Sequence, residues 1–209
     1  MNAARVGRKT GPKPIFTLAD VEAAALRLGI RDFTLTGVAK ELGVATPSLY
    51  RVVDSRQDLL DRLLARLAAD FRVPDPTLSW QDQLRRFADD CWAGYEANPG
   101  LAEVLLDNPG IHAHIQGYLD QMVTGLRGAG FPGDEARMEF ALDFIGDTAL
   151  VTHIAVAAIR REGLDAARER MDRIRPEGSR RFVPDDTWLD RGFLDGKVEF
   201  IIAGLEAGH

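Results

Sequence analysis

The sequence predicts an all-α fold in two parts, a small N-terminal bundle of three helices and a larger helical body. Three observations carry this expectation. Apolar residues recur at helical spacing along most of the chain, and no strand-like alternation bounded by hairpin turns interrupts them. Capping residues precede the apolar runs, and Gly or Pro closes them. Charge is also divided: residues 1–56 carry nine Lys/Arg and five Asp/Glu, a formal +4, leaving −10 on the rest of a 209-residue chain of net charge −6. Hydrophobic residues make up 45% of the chain, enough for a real core, which excludes general disorder.

The elements follow in order. Residues 1–15 read as a flexible basic arm, with Arg5, Arg8, Lys9 and Lys13 among Gly and Pro and no helical period. A first helix spans 17–29, with Thr17 as cap, Asp20 near the positive dipole end and Gly29 as stop. Val21, Ala24, Ala25 and Leu28 form its apolar stripe. A short second helix, 35–42, stops at Gly43, and a third runs from Thr46 to about 53 with Thr46 as cap and Pro47 in its first turn. Ser55 and Asp58 then cap a helix whose leucines, from Leu59 to Leu67, reach toward Phe71. The stiff Val73-Pro74-Asp75-Pro76 break sets the domain boundary. Beyond it, Ser79 caps a helix over 80–97, and helices are expected at 101–107, 111–126, 134–161 and 164–173. A polar loop at 175–186 precedes a terminal helix at 188–207.

The informative stretch is 34–60, TLTGVAKELGVATPSLYRVVDSRQDLL. Two short helices meet at Gly43, a residue able to take the left-handed backbone of a tight turn. Val38, Ala39, Leu42, Val44, Leu49 and Val53 are spaced to pack the pair, and Ala39 is small where the helices cross. The second of them then exposes Thr46, Ser48, Tyr50 and Arg51, hydroxyls and a guanidinium that suit groove edges and phosphates. A plain core hairpin is the competing reading of any such helix pair.

As a set, the first helix, the 34–43 segment, Pro47-Ser48-Leu49-Tyr50, and Ser55-Arg56 with Leu59-Leu60 resemble the tetracycline-repressor (TetR) family of regulators. The resemblance implies a helix-turn-helix DNA-binding domain over 16–56, a linking helix over 57–73 and a ligand-binding and dimerisation domain over 74–209. It places Thr46, Pro47, Ser48, Tyr50 and Arg51 on the DNA-facing side, Arg56 at a phosphate contact and Thr36 at a supporting contact on the second helix. Val52 and Val53 depart from the aromatic or His residues common there. Arg5, Arg8 and Lys9 either follow the DNA or merely solubilise the arm.

In the larger part, Ser79-Trp80-Gln81-Asp82 with Leu84 and Arg85 resembles the start of the fifth helix of the tetracycline-repressor branch, and 193–206 resembles its last helix. The middle, 86–187, agrees only in helical pattern. The resemblance implies a homodimer in which the 134–161 and 188–207 helices pair with their symmetry mates. The apolar residues agree, being spread around more of each helix than one burial face can hold. Candidate ligand contacts are Phe87, Trp92, Tyr95, His112, Gln116, Met122, Phe144, Asp147 and His153. In the register of the branch, its ligand-binding Asn and Phe fall on Phe87 and Cys91 and its metal-binding His falls near Leu105, so tetracycline is not the expected ligand.

Other classes find little support. His112 and His114 are two apart with no third metal ligand at useful spacing. Asp143 and Asp147 share a helix face and read as ion-pairing residues at a surface or dimer edge. No Gly-rich phosphate loop or nucleophile elbow is present, so neither an enzyme nor a cofactor is expected. The single Cys91 allows no intrachain disulfide, and the start of the chain has no apolar core of a signal peptide, which together point to the cytoplasm. The 140–159 stretch contains Asp143, Asp147 and His153 and reads as a buried helix rather than a membrane span. The function expected is a regulator that binds double-stranded operator DNA, a repressor released by a small molecule. An activator or ligand-free regulator is the alternative within the fold, and an all-α enzyme or carrier the alternative outside it.

Overall fold

The computed structural model describes residues 16–73, 75–108, 110, 112–179 and 181–208, so Arg5, Arg8 and Lys9 lie outside the described residues. Helix α1 (Leu18–Leu28) begins where expected, with a reciprocal capping box between Thr17 and Asp20. Val21, Ala24 and Ala25 are buried, while Leu28 stays 38% exposed at the edge of the stripe. Helix α2 (Leu35–Glu41) is capped by Thr34, whose hydroxyl accepts from the Gly37 N–H at 3.0 Å. Helix α3 (Arg56–Ala68) is capped by Ser55, which accepts from the Asp58 N–H at 3.0 Å.

α3 joins the two parts of the molecule. It packs on α1 at one end and on α6 (His112–Gly128) further along. Leu59, Leu60, Leu63 and Leu64 are all buried, each stabilising the fold by about 1.5–3 kcal/mol relative to exposure. The body comprises α4 (Trp80–Ala97), α5 (Leu101–Asp107), α6, α7 (Glu135–Glu162), α8 (Leu164–Ile174) and α9 (Leu194–Glu206). α7 is the scaffold of this part and packs against each of its other helices. By length and composition α7 resembles a membrane-crossing helix, yet Met138, Leu142, Ile145 and Val156 face these neighbours and are buried. Arg85 forks onto Glu199 at 2.6 and 2.7 Å and ties α4 to α9.

The terminal helix is shorter than the 188–207 expected, beginning at Leu194. Trp188 lies instead in a short 3-10 turn, Asp186–Leu189. The break is at Gly192, whose φ of +58° is left-handed and whose missing Cβ would stand 3.3 Å from Thr152 and Val156 of α7. Backbone conformation and close approach both require glycine there.

Two apolar rows remain uncovered. On α7, Phe140, Phe144 and Val151 are 59%, 47% and 58% exposed, and the exposed Ala155 and Ala158 continue the row. On α9 the row is Phe193, Gly196, Phe200, Ala203 and Ala207, with Phe200 82% exposed. Their spacing, in steps of three and four residues except between Phe144 and Val151, where the exposed Asp147 stands in the row, is that of a helix seam.

Candidate nucleic-acid interface and ligand cavity

The turn after α2 is built by Gly43, at φ +67°, which lets the Val44 N–H reach back to the Ala39 carbonyl at 2.9 Å. The next segment, Thr46–Arg51, is a 3-10 helix rather than the expected α-helix. Thr46 is not its cap. Ala45 holds that position without a side-chain bond, and the Ser48 N–H donates to the Ala45 carbonyl at 2.8 Å. Pro47 offers no N–H, and the β-branched Val52 and Val53 discourage continuation into a longer α-helix.

Three residues per turn sort this segment into rows. Leu49 is fully buried and anchors the segment, with Thr46 and Val52 half-buried one turn before and after it. Pro47 and Tyr50 form one outward row, with Tyr50 57% exposed, while Ser48 and Arg51 form the other. Val38, Ala39 and Val53 complete the support beneath. Thr36 and Lys40 lie one helical turn apart on the exposed side of α2. Lys40, overlooked as a site residue in the sequence, has no ion pair among the described residues, and neither has Arg51. Its counterpart Arg27 is paired with Glu41 at 3.1 Å.

Arg56, expected at a phosphate contact, is bonded within the protein. Its Nε donates to the Phe33 carbonyl at 3.0 Å and its Nη2 to the Arg31 carbonyl at 2.8 Å, with the guanidinium 4.6 Å over the Phe33 ring. It clamps the α1–α2 loop to the start of α3.

The body holds a cavity of about 1010 Å³ between α3, α4, α5, α6 and α7. Leu64, Leu67 and Phe71 line it at the α3 end, Phe87, Cys91 and Tyr95 from α4, and Leu142, Asp147 and Leu150 from α7. Of the nine expected ligand contacts, Phe87, Tyr95, His112, Gln116 and Asp147 line it. Trp92, Met122, Phe144 and His153 do not. Met122 is fully buried core, and Phe144 belongs to the outward row of α7. The α3 leucines carry no local mark of a ligand contact, because their facing depends on how α3 meets α4 and α6, while Cys91 stands where the resembled branch has a ligand-binding residue. Burial pushes the Cys91 thiol up to about 12, so it is protonated at neutral pH.

His153 and Trp92 instead build a polar lock behind the cavity. The His153 ring stands edge-on to Trp92 at 4.9 Å, and its Nε2 lies 3.1 Å from Glu96 Oε1. That carboxylate also accepts from Arg160 Nη1 at 2.7 Å, while Arg160 Nε and Nη2 donate to the Leu189 and Asp190 carbonyls. Burial lowers the His153 pKa below its ordinary 6.5, against the opposing pull of Glu96. The folded state therefore favours the neutral ring, and its contribution to stability, full above pH 6.5, is lost as pH falls below it. The carboxylates held low by hydrogen bonds, such as Glu162 and Glu199, lose theirs only below their ordinary 4.5. Between pH ~7.5 and ~5.5 the melting temperature is expected to fall, and H153N is expected to flatten that fall. An equal slope in both proteins would remove His153 as the cause.

No family model matches the sequence. A curated relative, the HTH-type transcriptional repressor DrrR1 of Streptomyces coeruleorubidus, is 30% identical over 131 residues, 60% of this chain and 48% of that protein. An HTH-type transcriptional regulator of Saccharopolyspora erythraea is 28% identical over 110 residues, 50% of this chain and 42% of that protein. The chain thus spans about half the length of the curated relatives it matches. Among solved structures, the Streptomyces coelicolor TetR family protein ActR in complex with actinorhodin superposes with a TM-score of 0.67 at 22% identity, covering 93% of this chain and 97% of ActR. Apo ActR gives 0.65 at 20% identity, over 92% and 98% of the two chains. The all-α architecture, a helix-turn-helix domain joined to a larger helical domain, is the fold of the TetR-family regulators.

Proposed function

We propose that the chain is a TetR-family transcriptional regulator acting in the cytoplasm, a homodimeric repressor that leaves its operator when a small molecule fills the cavity. Residues 16–56 are then the DNA-binding domain, 57–73 the link and 74–209 the ligand-binding and dimerisation domain. The observation that carries this reading is the double use of α3. Leu59, Leu60 and Leu63 are buried on the helix that packs against α1, and Leu64 and Leu67 of the same helix line the cavity. A ligand that favours one position of α3 also favours one position of the helices it supports, by no more than its differential affinity for the two. Glu103 of α5, 3.7 Å from Arg31, and His114 of α6, 4.0 Å from Asp61, add contacts between the two parts.

The relatives agree with a repressor: DrrR1 is named as one, and ActR is a TetR family protein seen with actinorhodin. The outward rows of α7 and α9 supply a self-complementary surface for a second copy, placing two reading segments about one DNA turn, ~34–36 Å, apart. DNA contacts are assigned to Thr36, Lys40, Thr46, Pro47, Ser48, Tyr50 and Arg51. Selection from random duplexes at fixed salt tests the reading. Enrichment of an inverted repeat is expected, whereas no enrichment at any salt would favour an all-α carrier or enzyme.

A further inference from the structure

We propose that the α4–α5 turn is a seat that fixes the angle of the reading head, residues 16–56, so that Gly100 and Arg31 decide which spacing of half-sites the protein accepts. This deepens the regulatory reading and rests on it for the presence of two half-sites. A helix joining two bodies fixes their distance but lets one swing about it, and relative motion is the default where an interface is small. Accepting one spacing only therefore requires a second contact, away from α3. The α1–α2 loop and the α4–α5 turn make such a contact. The Cβ that Gly100 lacks would stand 2.9 Å from Arg31 Cβ and 3.6 Å from the Arg31 nitrogen. Glu103, in the first turn of α5, adds an ion pair to Arg31 at 3.7 Å, which is half-exposed on the arginine side and of secondary weight.

Both sides of the seat are stiff. On the body, the Leu101 N–H donates to the Asn98 carbonyl at 2.9 Å and Asn98 Nδ2 donates to the Gly94 carbonyl at 3.0 Å. Leu101 and Ala102 are buried directly behind the turn. On the head, the Asp32 and Phe33 N–H groups both donate to the Gly29 carbonyl, and Ile30 and Phe33 are buried. Arg56 holds the Arg31 and Phe33 carbonyls, and the next residue, Thr34, caps α2. A displacement of Arg31 is therefore carried into α2 and the 46–51 segment rather than absorbed in the loop. Carbon atoms pack best at about 3.5–4.0 Å, so a methyl group on Gly100 would push Arg31 away by more than about half an ångström. Two heads that must meet one duplex together tolerate such a shift poorly, whereas one head on one half-site adjusts by moving as a rigid body.

Spin labels on K40C of the head and E169C of α8, both exposed positions, read the head-to-body distance without DNA. A C91A background and dilution with unlabelled protein confine the signal to one chain. G100A is expected to shift the distance. Gly130 is likewise left-handed, at φ +76° against +88° for Gly100, but nothing lies within 4 Å of its Cβ position, so G130A is expected to leave the distance unchanged. R31G removes the carbon that would be struck, so G100A/R31G is expected to match R31G alone. Selection from random duplexes reads the consequence. G100A is expected to enrich a repeat of altered spacing and to bind the wild-type repeat at least about tenfold more weakly, while an isolated half-site is held within about twofold. An unchanged distance in G100A, equal shifts in G100A and G130A, or selection of the wild-type spacing by G100A at undiminished affinity would overturn the proposal. A wild type that selects no repeat would sink the regulatory reading instead, and the distance in G100A would still support the seat by shifting or overturn it by staying.

Discussion

Replacing Tyr50 and Arg51 together with alanine is expected to lower affinity for the selected operator by at least about tenfold per half-site, or ~1–3 kcal/mol. Both side chains lie on the outward rows of the 3-10 helix, and Leu49 alone anchors its inward side. The double change therefore removes a hydroxyl and a guanidinium from the reading face and nothing from the core. Titration of affinity against salt separates the two roles. Loss of a phosphate contact by Arg51 lowers the salt slope by about 1 for each subunit bound. Loss of base readout leaves the slope and erases the preference for the selected sequence. The melting temperature should stay within about a degree of wild type, since surface changes away from packing rarely exceed ±0.5 kcal/mol. Unaltered operator affinity would show that the 46–51 segment does not read DNA.

The second large effect is expected at the outward face of α9. Phe200 is 82% exposed beside the buried Val198, Ile201 and Ile202, so it contributes almost nothing to the fold of one subunit. In a twofold pairing it would be buried twice. Each copy then contributes about 1.5–3 kcal/mol, so F200D should raise the dimer dissociation constant at least about a hundredfold. The added carboxylates would also face one another across the axis. Sedimentation at micromolar concentration is expected to give a dimer for the wild type and a monomer for F200D, with operator binding lost alongside. A wild-type monomer at that concentration would refute the pairing. A dimeric F200D would move the interface elsewhere.

Much of this organisation is legible in local chemistry. Thr17, Thr34, Ser55, Ser79 and Asp134 cap the helices they precede, because a short side-chain oxygen satisfies a free backbone N–H wherever it stands. Gly43 and the packing set from Val38 to Val53 follow the same local logic, so the support beneath the exposed 46–51 segment is legible as well. The site residues that depend on distant parts of the chain are not. Arg56 carries the charge of a phosphate contact, but its partners are carbonyls 23 and 25 residues earlier. His153 and Trp92 have the chemistry of ligand contacts, yet they face Glu96, Arg160 and Arg191. The terminal helix starts later than the apolar spacing predicts because the close approach of Gly192 to α7 leaves no local signature beyond the glycine itself.

In the proposed function, the exposed 46–51 segment, doubled by twofold pairing of α7 and α9, reads a DNA duplex. Hydroxyl-radical footprinting on the selected duplex tests it most directly. Two protected segments on one face of the DNA are expected, centred ~34–36 Å apart and related by the symmetry of the inverted repeat. A single protected segment, or uniform protection without sequence preference, would contradict it.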